Sequence, residues 1–215
     1  MSFKIETELS EDHEARPSFV AQMTGISPKT LGKAVEAGFI GRLTHQVTLD
    51  VANLPLLTSV STPSGVPIPF LRMGVKGEAL GGDGNHEPPR KWAGLGADMT
   101  DEEIAAAILR WWKTSGRQRV LDAGYLLVAI GGITVALLAI EDWKWGTGDV
   151  DDRIEYIGTL VARADDVISR DIRIVDESVD QDVRDFAQQV LATRSTTRGG
   201  GVINLLDADI DAEKA

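Results

Sequence analysis

The chain has 215 residues, 22 Lys+Arg against 33 Asp+Glu, a formal net charge of -11 and no cysteine. Its length fits one compact domain or two small ones, and its 43% hydrophobic content excludes wholesale disorder. The missing cysteines exclude disulfides, thiolate catalysis, iron–sulfur clusters and Cys-based zinc sites, and the acidic balance excludes a surface basic all round but not a local basic face.

Residues 1–15 read as an acidic leader: Met1 to Glu14 carries one Lys and five acids and no apolar run of the secretory type. Residues 16–45 reverse the sign, with Arg16, Lys29, Lys33 and Arg42 against Glu36 alone. Here Ser18 to Thr24 is predicted as a short helix, Gly25-Ile26-Ser27 as a turn, and Pro28 as the start of a second helix. Ser27 is a suitable N-cap, and Pro suits the first helical position. Val20, Ala21, Ile26, Leu31 and Val35 supply the apolar seam that two crossed helices need. The pattern is that of a helix-turn-helix unit, expected over 16–60, whose second helix offers polar residues from its N-terminal end.

Val20-Ala21, Thr24-Gly25-Ile26-Ser27, Thr30-Leu31 and Gly38-Phe39-Ile40 carry a resemblance to the winged helix-turn-helix of MerR-type regulators and excisionase-like DNA-binding proteins. Val47 to Val51 and Leu54 to Leu57 resemble the strand and helix that follow the wing. Gly32-Lys33-Ala34 replaces the usual Arg-Tyr-Tyr of MerR proteins, and no long dimerisation helix follows, so the excisionase-like form fits better. The resemblance implies that Ser27, Lys29, Thr30 and Lys33 face DNA from the second helix and that Arg42 and His45 meet phosphate from the wing. Helix residues would read base edges while basic groups position the protein on the backbone. The alternative is a helical module that contacts protein, with its lysines solvated.

Residues 61–99 read as a Gly/Pro-rich linker, with a domain boundary in 58–66, or as second choice in the loop at 77–90, and an extended edge strand at Val66 to Met73. Gly81 to Asn85 and His86 to Pro89 read as a loop. Thr100-Asp101-Glu102-Glu103 is an N-cap followed by acids in the first turn. Ile104, Ile108, Trp111 and Trp112 continue at helical spacing to an end near Gly116. Tyr125 to Ile140 is uncharged but short for a membrane span. Gly131-Gly132 at its centre predicts two buried strands joined by a tight turn. Further strands are expected at Arg153 to Gly158 and Arg170 to Val175, a helix at Val179 to Leu191, and a strand at Val202 to Leu206 after the Gly199–Gly201 turn. Residues 207–215 read as an acidic tail.

Arg110, Lys113, Arg117 and Arg119 surround Trp111 and Trp112. Either they form a second nucleic-acid face, or the rings pack inward and the cations cap a helix end. The order of elements after Thr100, with Trp143 and Tyr156, resembles small PUA-like or EVE-like barrels. That resemblance implies an aromatic pocket for RNA or a modified base, lined by Trp143, Trp145 and Tyr156; ordinary core packing is the competing reading. Gly124-Tyr125 lies too far from Tyr156-Ile157-Gly158 for a GIY-YIG nuclease. His13, His45 and His86 have no partner at metal-ligand spacing, and the glycine runs lack the Lys-Ser/Thr of a phosphate loop.

The expectation is an α+β protein: an N-terminal winged helix-turn-helix and a C-terminal antiparallel, barrel-like α+β domain at 100–206. It is expected to be a cytoplasmic, non-enzymatic protein that binds double-stranded DNA, with no metal or cofactor, no membrane contact, and dimerisation on paired half-sites. Alternatives are a nucleic-acid or modified-base reader and an assembly factor.

Overall fold

A computed structural model describes residues 13–79, 90–146 and 151–195 and the backbone of 203–205. The leader up to residue 12, the loop with Gly81–Asn85 and His86, the Gly199–Gly201 turn and the acidic tail lie outside the described residues. In chain order the elements are α1 (Pro17–Thr24), α2 (Pro28–Glu36), α3 (His45–Asn53), β1 (Leu56–Leu57), β2 (Pro69–Met73), β3 (Gly77–Glu78) and β4 (Trp92–Ala93). They continue with α4 (Asp101–Leu109), β5 (Arg110–Trp112), α5 (Arg117–Ala123), β6 (Tyr125–Ile130), β7 (Ile133–Trp145), β8 (Ile154–Asp166), β9 (Asp171–Ile174), α6 (Gln181–Val190), β10 (Arg194–Ser195) and β11 (Ile203–Leu205).

The centre is the predicted hairpin. β6 and β7 pair antiparallel from Tyr125–Ala139 to Ile130–Ile133. Gly131 and Gly132 take φ of 61° and 84°, the positive values that a two-residue hairpin turn of the right twist demands. β8 extends the sheet along β7, and β9 and β5 pair with β8. On the other side β2 joins β6 in parallel. The α+β class therefore holds, with a mixed nine-stranded sheet in place of an antiparallel one. Among the described residues no ladder joins β11 to β9, so the sheet is open where a barrel would close.

Alternation along β6 divides the core. Leu126, Val128 and Ile130 share one apolar cluster with residues of α1–α5, such as Val20, Leu31, Val51, Ile104 and Val120. Leu127 and Ala129 share the other with Val183, Phe186, Ala187 and Val190 of α6. Helices thus cover both faces, and α1–α3 pack into the same core as the sheet. Arg194 adds a polar tie from β10, donating to the Thr24 and Leu54 carbonyls at 2.8 and 3.1 Å. No described helix is long and apolar enough to cross a membrane.

Several expected elements are displaced. Val47 to Val51, expected as a strand, is the interior of α3, whose start Thr44 caps by accepting from Val47 N at 3.2 Å. Leu56–Leu57, expected in a helix, is β1, paired in parallel with β10. The extended stretch at Pro69–Met73 is not an edge, because β2 bonds to both β6 and β11. Pro at the first residue of a strand removes no essential ladder donor. The helix from Asp101 stops at Leu109: Arg110 and Trp112 instead pair with Glu155 and Ile154. A strand throws adjacent side chains to opposite faces, so Trp111 is buried and Trp112 half-buried. Gly116 then opens α5, which Val120 and Ala123 anchor.

The cap of α4 forms as expected, with Thr100 and Glu103 exchanging both capping-box bonds. Its first turn is held to the sheet by charge. Arg163, 5% exposed, donates to the carbonyls of Met99 and Ala97 and pairs with Asp165 at 2.8 Å. Arg173 reaches both Asp101 oxygens at 2.8 and 2.9 Å. The Arg173 hydrogen bonds, opposed by partial desolvation and aided by charge and by Arg163, hold the Asp101 carboxyl below its ordinary range.

Two predictions follow from this packing. A Cβ on Gly131 would lie 2.8 Å from Ala34 Cβ and from its backbone nitrogen. Gly131→Ala is expected to cost at least about 2 kcal/mol in urea denaturation, combining left-handed strain with overpacking. Gly124→Ala, where nothing lies within 4 Å of the new Cβ, should cost only the strain of about 1 kcal/mol. For Asp101, a depressed folded pKa means stability present above the ordinary carboxylate value and lost as pH falls through the folded value. Wild type should therefore exceed Asp101→Asn in stability at neutral pH, and the two should converge as the pH drops below about 4. A gap that persists at low pH would count against the linkage.

Candidate nucleic-acid interface

The turn between α1 and α2 is built from local bonds. Gly25 takes φ 71° as the left-handed cap of α1. The buried Thr24 hydroxyl donates to Val20 O at 2.7 Å and accepts from Ile26 N at 3.1 Å. Ser27 Oγ accepts from Thr30 N at 3.1 Å and lies 2.8 Å from Thr30 Oγ1. Ser27 and Thr30 therefore sit at the exposed start of α2 but are already engaged in capping.

α2 rests on the sheet through Leu31 and Ala34, both fully buried. Its seat is the β6–β7 turn: besides the Ala34 contact, a Cβ on Gly131 would be 3.0 Å from Thr30 O, and one on Gly132 3.0 Å from Ile26 Cδ1. The opposite side of α2 carries Lys29, Gly32, Lys33 and Glu36, spaced i, i+3, i+4 and i+7, hence one stripe. Lys29, Lys33 and Glu36 are exposed and Gly32 is half-buried. Nothing lies within 4 Å of a Cβ built on Gly32. A glycine inside a helix costs about 1 kcal/mol relative to Ala, and no packing contact across the fold requires this one.

Arg42 and His45 do not join that stripe. No β-hairpin wing lies between α2 and α3; the connecting segment instead bridges the N-terminal chain at Glu14–Thr44. Arg42 pairs with Glu14 at 2.8 Å, both side chains well exposed. His45 begins α3, places Nδ1 3.3 Å from the His13 carbonyl and packs its ring 4.8 Å from Phe19. Both fasten residues 13–15, which also donate Ala15 N to Leu43 O at 2.8 Å.

The second basic set is divided. Arg110 is buried and pairs with Glu155 at 2.7 Å, while Lys144 reaches the other Glu155 oxygen at 3.0 Å. A charge taken out of water needs such a partner, so Arg110 is committed inside the fold. Lys113 and Arg119 are exposed. Arg117 lies over Trp143, with Cζ 4.6 Å from the ring centroid. Arg117 and Arg119 line an open cleft of about 670 Å³ with Thr114, Ser115, Gly116 and Gln118.

The aromatic set meets this cleft at Arg117. Trp143 and Trp145 share a face of β7 at i, i+2, their rings 5.2 Å apart and edge to face at 82°. Trp143 stands opposite Tyr156 of β8. Tyr156 is only 1% exposed within the apolar cluster, and its hydroxyl finds no hydrogen-bond partner among the described residues. Burial pushes that phenol up to about 12, the Arg117 charge offsetting part of the shift. Tyr156 is thus a core residue, Trp143 a half-buried support, and Trp145 an exposed ring.

Sequence reading placed the caps, Lys29 and Lys33 correctly on α2. It missed Glu155 as the partner of Arg110 and Lys144, and it took Gly32 only as part of the departure from the MerR pattern. A glycine between two lysines at helical spacing was the available signal for the stripe. No protein-family model, curated protein or solved structure matches this chain.

Proposed function

We propose that the protein binds double-stranded DNA, with α2 as the element that enters the major groove. The supporting observation is the Lys29–Gly32–Lys33 stripe: two exposed cations flank a helical glycine that has open space above it. Glycine is the residue that lets a partner come close to the backbone, and lysines at that distance neutralise phosphate. Leu31 and Ala34 hold the helix from behind, so its exposed side is presented on a rigid support. Glu36, one turn on, would repel phosphate and limits the contact to the N-terminal half of α2. A cavity that holds a base between Trp143 and Tyr156 is disfavoured, because Tyr156 is buried in the core.

The test is duplex binding across a salt series. Lys29→Ala/Lys33→Ala should weaken binding and lower the slope of log affinity against log salt by about two. Gly32→Ala should raise the stability of the free protein by up to about 1 kcal/mol while weakening duplex binding. Absence of any duplex binding at low salt would reject the proposal. Unchanged binding by the Gly32 variant would reject the close approach.

A further inference from the structure

The end of β7 carries an arrangement that duplex binding by α2 does not use. Trp145 is 52% exposed, the most exposed of the large apolar side chains described. It is held edge to face against Trp143, and the Trp143 ring is in turn covered by Arg117. Strand alternation places Asp142, Lys144 and Glu155 on the opposite face. The Asp142 and Glu155 carboxylates are therefore turned away from the two indoles, while exposed Glu141 lies at the bulge before them. Arg117 pairs with no carboxylate among the described residues, and it forms the boundary between the Trp face and the cleft that Arg119 also lines.

We infer that Trp145, supported by Trp143 and Arg117, is a stacking platform for the bases of single-stranded DNA, with the phosphates running along the cleft at 114–119. An exposed indole offers a flat apolar face to any base, and cations beside it neutralise the backbone, which is the chemistry of sequence-tolerant strand binding. The combination selects against the other usual partners of an exposed Trp. An apolar peptide would gain nothing from Arg117 and Arg119, and a neutral sugar would leave both cations without a counter-charge. The platform is separate from the α2 stripe in both residues and chemistry; only the choice of DNA over RNA rests on the α2 reading.

The experiment follows intrinsic Trp fluorescence of the full chain titrated with a 15-nucleotide oligothymidylate at low salt, beside an RNA of matching sequence. Saturable quenching is expected. Trp145→Ala, a change at an exposed site, should weaken strand binding on the order of 10- to 100-fold when binding is read by anisotropy of a labelled strand. Arg117→Ala should lower the salt slope by about one, and Arg117→Lys should restore it. Lys29→Ala/Lys33→Ala should bind the strand like wild type even where duplex binding is lost, which separates failure of this inference from failure of the α2 reading. Four results would overturn it: no saturable strand binding, wild-type affinity in Trp145→Ala, equal displacement by polyglutamate, or loss of strand binding in the Lys29/Lys33 variant. Tighter binding of the RNA would overturn the assignment to DNA.

Discussion

The Gly131–Gly132 turn sets the seat of α2 on the central sheet. It ends a hairpin whose two strands are buried on both faces, and the absence of side chains at its tip lets the backbone of α2 come down onto it. Ile26, Ala34 and the Thr30 carbonyl would each meet a Cβ at that tip. The seat thus fixes the first turn and the back of α2 together. Because the apolar cluster of the sheet also contains Val20, Leu31 and Val51, the N-terminal helices form part of the main core. The side of α2 that carries Lys29 and Lys33 is consequently presented by the whole sheet.

Charge is used in two distinct ways. Inside, Arg110 and Arg163 are each buried, Arg110 closed by the Glu155 carboxylate and Arg163 by Asp101, Asp165 and two carbonyls, so they join elements far apart in the chain: β5 to β8, and the start of α4 to β8. At the surface, Lys29, Lys33 and Arg117 have no comparable anchor. The -11 net charge therefore describes neither population. Many of the acids belong to internal pairs or to the regions around β8–β9 and α6, while exposed cations include Lys29 and Lys33 on α2 and Lys113 and Arg119 beside α5.

Features written into short stretches were legible. Ser27 and Pro28 start α2, Thr100 and Glu103 close a capping box, and two glycines between β-branched runs make the hairpin; each depends on neighbours within a few residues. The failures share a cause as well. Val47 to Val51, expected as a strand from the resemblance alone, lies in α3, and Trp111 and Trp112 continue a helical period although they lie in β5. In both cases the decision came from partners distant in sequence: α1 packs against α3, and β8 accepts β5. Intrinsic preference is small enough for such contacts to override it.

The same division holds for the candidate surfaces. The sequence by itself determined the local basic excess of 16–45, the capped start of α2 and the i, i+4 spacing of its lysines. Tertiary structure decided which cations stay in water. It drew Arg42 to Glu14 and Arg110 to Glu155, buried Tyr156, left Trp145 exposed and set Arg117 on Trp143. The physical reason is that a residue's type and spacing are local properties, whereas its desolvation and its counter-charge are supplied by segments the chain brings together only on folding.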